Sequence, residues 1–135
     1  MTLFTRAALI LLLWSPATAQ ADDRPDYVDL GGRGIASWRC AIFANMAQDR
    51  SEGARLFQLG YSLLSRFVSD EVAGKVTGVD WTKIPPDLLF VELPPAPSLD
   101  FRLGVLWQSV SHGVRYVGKA PAVRDYEAEN CSLIR

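Results

Sequence analysis

The apolar positions of this chain repeat with the period of an α-helix. Ile35, Trp38, Ile42 and Met46 fall on one face of a segment predicted to be helical over 35–50, because residues three and four apart stack on a helix surface. Ala41, Ala44 and Ala47 favour the same conformation. A second helix is predicted over 52–71, with Ser51 as N-cap and Glu52 at the positive helix end. Its stripe of Phe57, Tyr61, Leu64 and Val68 is widened by Leu56, Leu59, Leu63 and Phe67. A helix this broadly apolar is central in a fold or forms half of an interface. A third helix opens with Ser98 as N-cap and Asp100 near the dipole. Its seam is Leu99, Leu103, Leu106 and Val110, joined by Trp107 and Val114, and its end lies between Ser111 and Gly118. Pro121 starts a short fourth helix over 122–130. Gly60 and Gly104, each interior to a helix, predict a tight crossing of helices two and three. The expected fold is all-α: a compact bundle of three main helices plus a short C-terminal one.

The connections are read from glycine and proline. Residues 27–34, with Gly31, Gly32 and Gly34, read as a flexible lead-in, since their spacing fits neither a dinucleotide fingerprint nor a P-loop. Ala73-Gly74-Lys75 ends or kinks the second helix. Pro85-Pro86 and Pro94-Pro95-Ala96-Pro97 bracket residues 87–93, which suit an extended segment or one helical turn. Their proline density argues against a central strand, and 94–97 suits polyproline II.

The first nineteen residues do not fit this periodicity. Arg6 precedes the apolar run Ala7–Trp14, Ser15-Pro16 interrupts it, and Ala17-Thr18-Ala19 is a small-x-small cleavage site. Ala19-Gln20-Ala21 offers a second site. A membrane span needs about 20 apolar residues, so residues 1–19 are expected to be a cleaved signal peptide. The remaining layout is a flexible lead at 20–34 and one helical domain at 35–135. Cys40 lies far from the cleavage site, which argues against a lipid-anchored terminus, so no stable membrane anchor is expected. The expected location is periplasmic or secreted.

Export changes the meaning of the two cysteines. In an oxidising compartment Cys40 and Cys131 are expected to pair, tying helix one to the C-terminus. The rival is Cys40 as a nucleophile with the sole histidine, His112, as its base. Removing 1–19 from 135 residues leaves 116, enough for one core. Fourteen Lys and Arg less Arg6 leaves 13 against 15 acidic residues, a net charge of −2. Such a balance offers no electrostatic case for nucleic acid or an anionic membrane.

Candidate chemistry is sparse. One histidine excludes multi-histidine zinc sites, and no aspartate loop matches a calcium hand, so no metal and no cofactor is expected. Asp22, Asp23, Asp26 and Asp29 read as a solvated tail. Ser109, His112 and Asp100 cannot converge as a triad, because 100 and 112 lie about 18 Å apart along one helix. Glu92 and Asp100 flank the proline run and suit a paired-carboxylate site geometrically. Asn130-Cys131-Ser132 matches a glycosylation acceptor, but a bridged Cys131 makes it poorly accessible. Trp38 and Trp107 fall on helix stripes and read as core. Trp81, beside Asp80 and Lys83, reads as a contact anchor or a lid over the core edge.

The order of these features resembles small proteobacterial periplasmic proteins. It runs from a signal peptide and Trp38-Arg39-Cys40 through Arg55-Leu56-Phe57-x-x-Gly60-Tyr61 to Pro97-Ser98-Leu99-Asp100-Phe101-Arg102-Leu103-Gly104. In size, helical character and single disulfide the chain is similar to periplasmic immunity proteins, a likeness of type that assigns no residue roles. The leading expectation is an exported, non-catalytic binding protein engaging a protein partner, an immunity or inhibitor protein being one form. Trp81, Asp100, Arg102 and His112 are its candidate surface. The alternative is a small hydrolase or lipid-binding enzyme using Glu92, Asp100 or His112, and a third reading is a homodimer closing through helix two.

Overall fold

A computed structural model describes residues 24–89 and 98–135. Residues 1–19, expected to be a signal peptide, the acidic pair Asp22 and Asp23, Glu92 and the 94–97 proline run lie outside the described residues. Helices α1 (Tyr27–Met46), α2 (Arg50–Val72), α3 (Pro86–Leu89), α4 (Leu99–Gly113) and α5 (Lys119–Ala128) follow in order. A 3-10 turn at Trp81–Lys83 precedes α3 and another at Cys131–Leu133 follows α5, and the described residues contain no strand.

The largest departure from expectation is the start of α1. Residues 27–34 are not a flexible lead-in but the first two turns of the helix. Asp26 caps them, its carboxylate accepting the Val28 and Asp29 amides at 3.0 and 3.1 Å. Tyr27 and Leu30 are buried in the main core. The helix propensity lost at the glycines, about 1 kcal/mol each, is offset because two of them let other chains close in. A Cβ on Gly34 would lie 2.6 Å from Leu64 Cγ, and one on Gly31 2.6 Å from Leu88 Cδ1.

A short turn joins α1 to α2 as an antiparallel pair, with Gln48 at φ 70° and the Asp49 amide donating to Ala44 O at 2.9 Å. Asp49 is the α2 N-cap rather than Ser51: its carboxylate accepts the Glu52 amide at 3.0 Å and the Ser51 hydroxyl at 2.9 Å. Ser98 caps α4 as expected, accepting the Phe101 amide at 3.1 Å. Residues 86–89 take the one-turn helical option. α5 begins at Lys119, two residues before Pro121, which sits inside its first turn.

Two core clusters follow one another along the α1–α2 pair and share Phe57 as a packing partner. The larger joins Tyr27, Ile35, Trp38, Leu64, Phe67 and Val68 to Ile84, Leu88 and the α4 residues Leu103, Leu106 and Val110. The smaller gathers Cys40, Ala41, Ala44 and Leu56 around Cys131, with Phe43, Phe57, Tyr126 and Ile134 packed against it. The broad apolar surface of α2 follows from serving both. Cys40 and Cys131 form the expected bridge, with Cα atoms 5.5 Å apart and a sequence separation of 91. Both sulfurs are thereby engaged, so the Cys40–His112 nucleophile pair is not what this structure contains.

The expected Gly60–Gly104 crossing does not occur. Gly60 instead faces α1, where an added Cβ would collide with the Trp38 ring and approach Gly34 O to 3.0 Å; around Gly104 nothing comes within 4 Å. Two substitutions of one chemical kind should therefore act with opposite sign. Gly60→Ala is expected to cost about 1–3 kcal/mol by overpacking, whereas Gly104→Ala gains up to about 1 kcal/mol of helix propensity. Urea midpoints of the two variants provide the measurement. The bridge closes the longest loop in the fold. Replacing both cysteines by serine is expected to remove about 4–5 kcal/mol in the chain-entropy description, measured by the same titration against the oxidised protein.

Candidate functional site

A recess with no charged residue in its lining lies between the C-terminal halves of α1 and α4. Ile42, Asn45 and Met46 recur at helical spacing on α1, and Trp107 and Ser111 do so on α4. The chain leaves α4 at Gly113, and Val114 and Tyr116 then close the recess. The resulting cleft of about 360 Å³ is lined by these seven residues. Tyr116 stands at its rim with 87% of its surface exposed.

Behind its lining residue Trp107 lies a packed aromatic cluster. The Trp38 indole, 1% exposed, stacks on Phe57 with ring centres 5.8 Å apart and donates its N–H to Phe57 O at 3.1 Å. Trp107 meets both rings edge-on, at 5.3 Å from Trp38 and 5.1 Å from Phe57. Such pairs add about 0.5–1.5 kcal/mol each beyond their burial. The only polar side chains in the lining besides the Tyr116 phenol are Asn45 and Ser111, whose hydroxyl donates to Gln108 O at 2.9 Å. No Asp, Glu, His, Lys or Arg lines the cleft. It can hold an apolar group and orient it through an amide and hydroxyls, which is the usual composition of a recognition pocket, and it holds no acid–base pair.

Of the four residues expected to form a surface, Asp100, Arg102 and His112 lie on α4 and Trp81 on the first 3-10 turn. Trp81 is 45% exposed on the first 3-10 turn. Asp100 accepts the Tyr61 hydroxyl at 2.8 Å, and Arg102 approaches Glu71 to 3.6 Å. His112 is exposed in the last turn of α4, twelve positions or about 18 Å from Asp100. None of the four lines the α1–α4 cleft or the two clefts described next. Ser109 donates to Asp87 at 3.1 Å, and Asp87 also lies 3.5 Å from Arg39, so this serine serves a helix contact. Met46 and Tyr116 were missed. The signal available for Tyr116 was an aromatic residue set between Gly113 and Gly118 in a short non-helical strap.

Two further recesses carry charged residues in their linings. One, of about 510 Å³, includes Arg24, Tyr27, Arg66, Asp70 and Lys75. Asp70 accepts the Tyr27 hydroxyl at 3.3 Å and pairs with Lys75 at 3.4 Å. Burial first, and Asp70 second, push the Tyr27 phenol above its ordinary value. The other, of about 420 Å³, lies where α5 meets the α1–α2 turn and includes Asp49, Glu52, Tyr126 and Glu127. Here Arg55 holds Glu52 through two contacts of 2.7 Å, and the Tyr126 hydroxyl donates to the same carboxylate at 2.7 Å. Among the described residues no group of three or more His, Cys, Asp or Glu is placed to hold a metal ion. No described helix is long and apolar enough to cross a membrane. No family model matches the chain, and neither a curated protein nor a solved structure matches it.

The Glu52 node carries a pH dependence. Arg55, and to a lesser degree Tyr126, lower the Glu52 carboxyl from 4.5 to about 2 against the opposing effect of burial. A lowered folded value means that this stabilisation is complete above pH 4.5 and is lost as pH falls toward about 2. Burial and Glu52 raise the Tyr126 phenol from 10.0 to about 12, so its contribution is complete below pH 10 and is lost as pH rises toward 12. Tyr126→Phe is expected to cost about 1 kcal/mol at neutral pH and to flatten the alkaline limb of Tm against pH. Glu52→Gln should flatten the acid limb.

Proposed function

We propose that this chain is an exported, non-catalytic binding protein whose α1–α4 cleft receives a protein partner in the periplasm. The observation that carries the reading is the apolar cleft with Tyr116 exposed at its rim above a wall fixed by Trp107 and Trp38. Tyrosine, here exposed, and tryptophan, here half-buried in the pocket wall, are among the residue types that dominate protein–protein binding energy. Export is supported by Arg6, the apolar run at 7–14 and the Ala17-Thr18-Ala19 site. The Cys40–Cys131 bridge suits an oxidising compartment. An immunity or inhibitor protein is the specific form this takes, since blocking a partner needs a surface and no chemistry.

A photo-crosslinking residue placed at position 116, and separately at position 81, tests the reading in intact cells. A reproducible adduct with one periplasmic protein at 116, lost on Met46→Asp at unchanged yield of folded protein, is the expected result. No adduct above background at either position overturns it.

A further inference from the structure

The recess between the start of α1 and the end of α2 carries an excess of positive charge in its own lining. On α2 it is bordered by Arg66, Ser69 and Asp70, spaced three and four residues apart on one helix face. Gly74, at φ 68°, reverses the chain after α2. The Lys75 amide then donates to Asp70 O at 2.8 Å, and Lys75 joins the same lining. Arg24, just before α1, is the third cation. Three cations against the one carboxylate of Asp70 leave the lining at +2, in a chain whose formal net charge is −1.

Asp70 does not cancel this excess. One of its oxygens accepts the Tyr27 hydroxyl at 3.3 Å and the other lies 3.4 Å from Lys75 Nζ. Arg66 is exposed and makes no hydrogen bond or ion pair with any described residue. Burial and then Asp70 raise the Tyr27 phenol, and the Lys75 and Arg66 charges oppose them. Both cations therefore act on one hydroxyl in the recess wall. The neighbouring carboxylates are engaged elsewhere. Asp26 caps α1 through the Val28 and Asp29 amides, and Glu71 lies 3.6 Å from Arg102. Asp80 borders an adjoining recess that shares Arg24, Pro25 and Tyr27. It accepts the Thr82 amide and hydroxyl and lies 3.5 Å from Lys83. The positive end of α1 and the negative end of α2 offset each other here.

We propose that this recess binds the phosphate group of a small phosphate monoester. The Arg66 guanidinium presents paired N–H donors that match phosphate oxygens. Lys75 adds a point charge, and the Ser69 hydroxyl adds a donor. A lining of +2 suits a dianion better than a single carboxylate. The recess, about 510 Å³, has the size of a small-molecule site, and the organic remainder of the ligand lies along Pro25 and Tyr27. It shares no lining residue with the α1–α4 cleft, so this site does not depend on the protein-partner reading.

The test is an NMR titration of the exported protein with glycerol 3-phosphate, with inorganic phosphate, acetate and glycerol added separately at matched ionic strength. Glycerol 3-phosphate is expected to give saturable shifts at the amides of residues 24–27 and 66–75. Arg66→Gln should weaken its binding about tenfold, the loss of one charge-assisted hydrogen bond. Arg124→Gln removes the same charge from an exposed position on α5 and should leave the affinity unchanged. Asp22 and Asp23 precede Arg24 in sequence, and the Asp22→Asn/Asp23→Asn variant should bind at least as tightly. Absence of saturable shifts, equal losses in the Arg66 and Arg124 variants, or weaker binding after neutralising Asp22 and Asp23 would each overturn the site. Acetate or inorganic phosphate binding as tightly as glycerol 3-phosphate would overturn the monoester, as would a response to phosphatidic acid vesicles alone.

Discussion

The Trp38 indole is the contact on which the rest of this structure depends. It sits in the α1–α2 interface against Gly60, where a single added Cβ would strike the ring. Its N–H is satisfied by Phe57 O, so the buried ring carries no unpaired donor. From that position it stacks on Phe57 and meets Trp107 edge-on, joining α1, α2 and α4 through one side chain. The exposed cleft inherits its shape from this buried contact, because Trp107 is both a packing partner of Trp38 and a wall of the recess. A surface used for recognition benefits from such backing, since a preorganised wall loses little freedom on binding.

The smaller core shows how a weakly apolar tail is retained. α5 buries only Ala122, which is too little to dock a ten-residue helix by hydrophobic burial alone. The bridge from Cys40 supplies the anchor, and polar clamps surround it. Arg55 donates to Ile134 O at 3.1 Å, Arg33 donates to Arg135 O at 2.8 Å, and Tyr126 reaches Glu52. Glu52 and Arg55, near the start of α2, thereby hold the tail against the α1–α2 pair. Exposed ion pairs are individually weak. Here they act on a segment whose position the covalent link has already restricted.

Much of the helical framework was legible because its signals are local. The Ser98 cap, the α4 seam and the α2 stripe are patterns within one turn or two of chain, and each lies where the pattern put it except that Leu99 and Tyr61 are exposed. The start of α1 was not legible, since three glycines within four residues argue for a loop, and the burial that compensates them comes from Leu64 and Leu88. Gly60 and Gly104 look alike in sequence and differ only in what stands opposite. The candidate site follows the same division. Trp107 was visible as a core residue, but that its ring also faces a cleft depends on where α1 ends beside it.

By itself the sequence determined the helical class, the position of the principal helices, the pairing of Cys40 with Cys131 and the basic, acid-free character of residues 101–124. These depend on period, composition and the arithmetic of two cysteines. Only the tertiary structure decided which glycine is a contact, where α1 begins, and that Tyr116 borders the α1–α4 cleft. Those outcomes depend on the distance between segments far apart in the chain, and a helical repeat says which face is apolar without saying what will cover it.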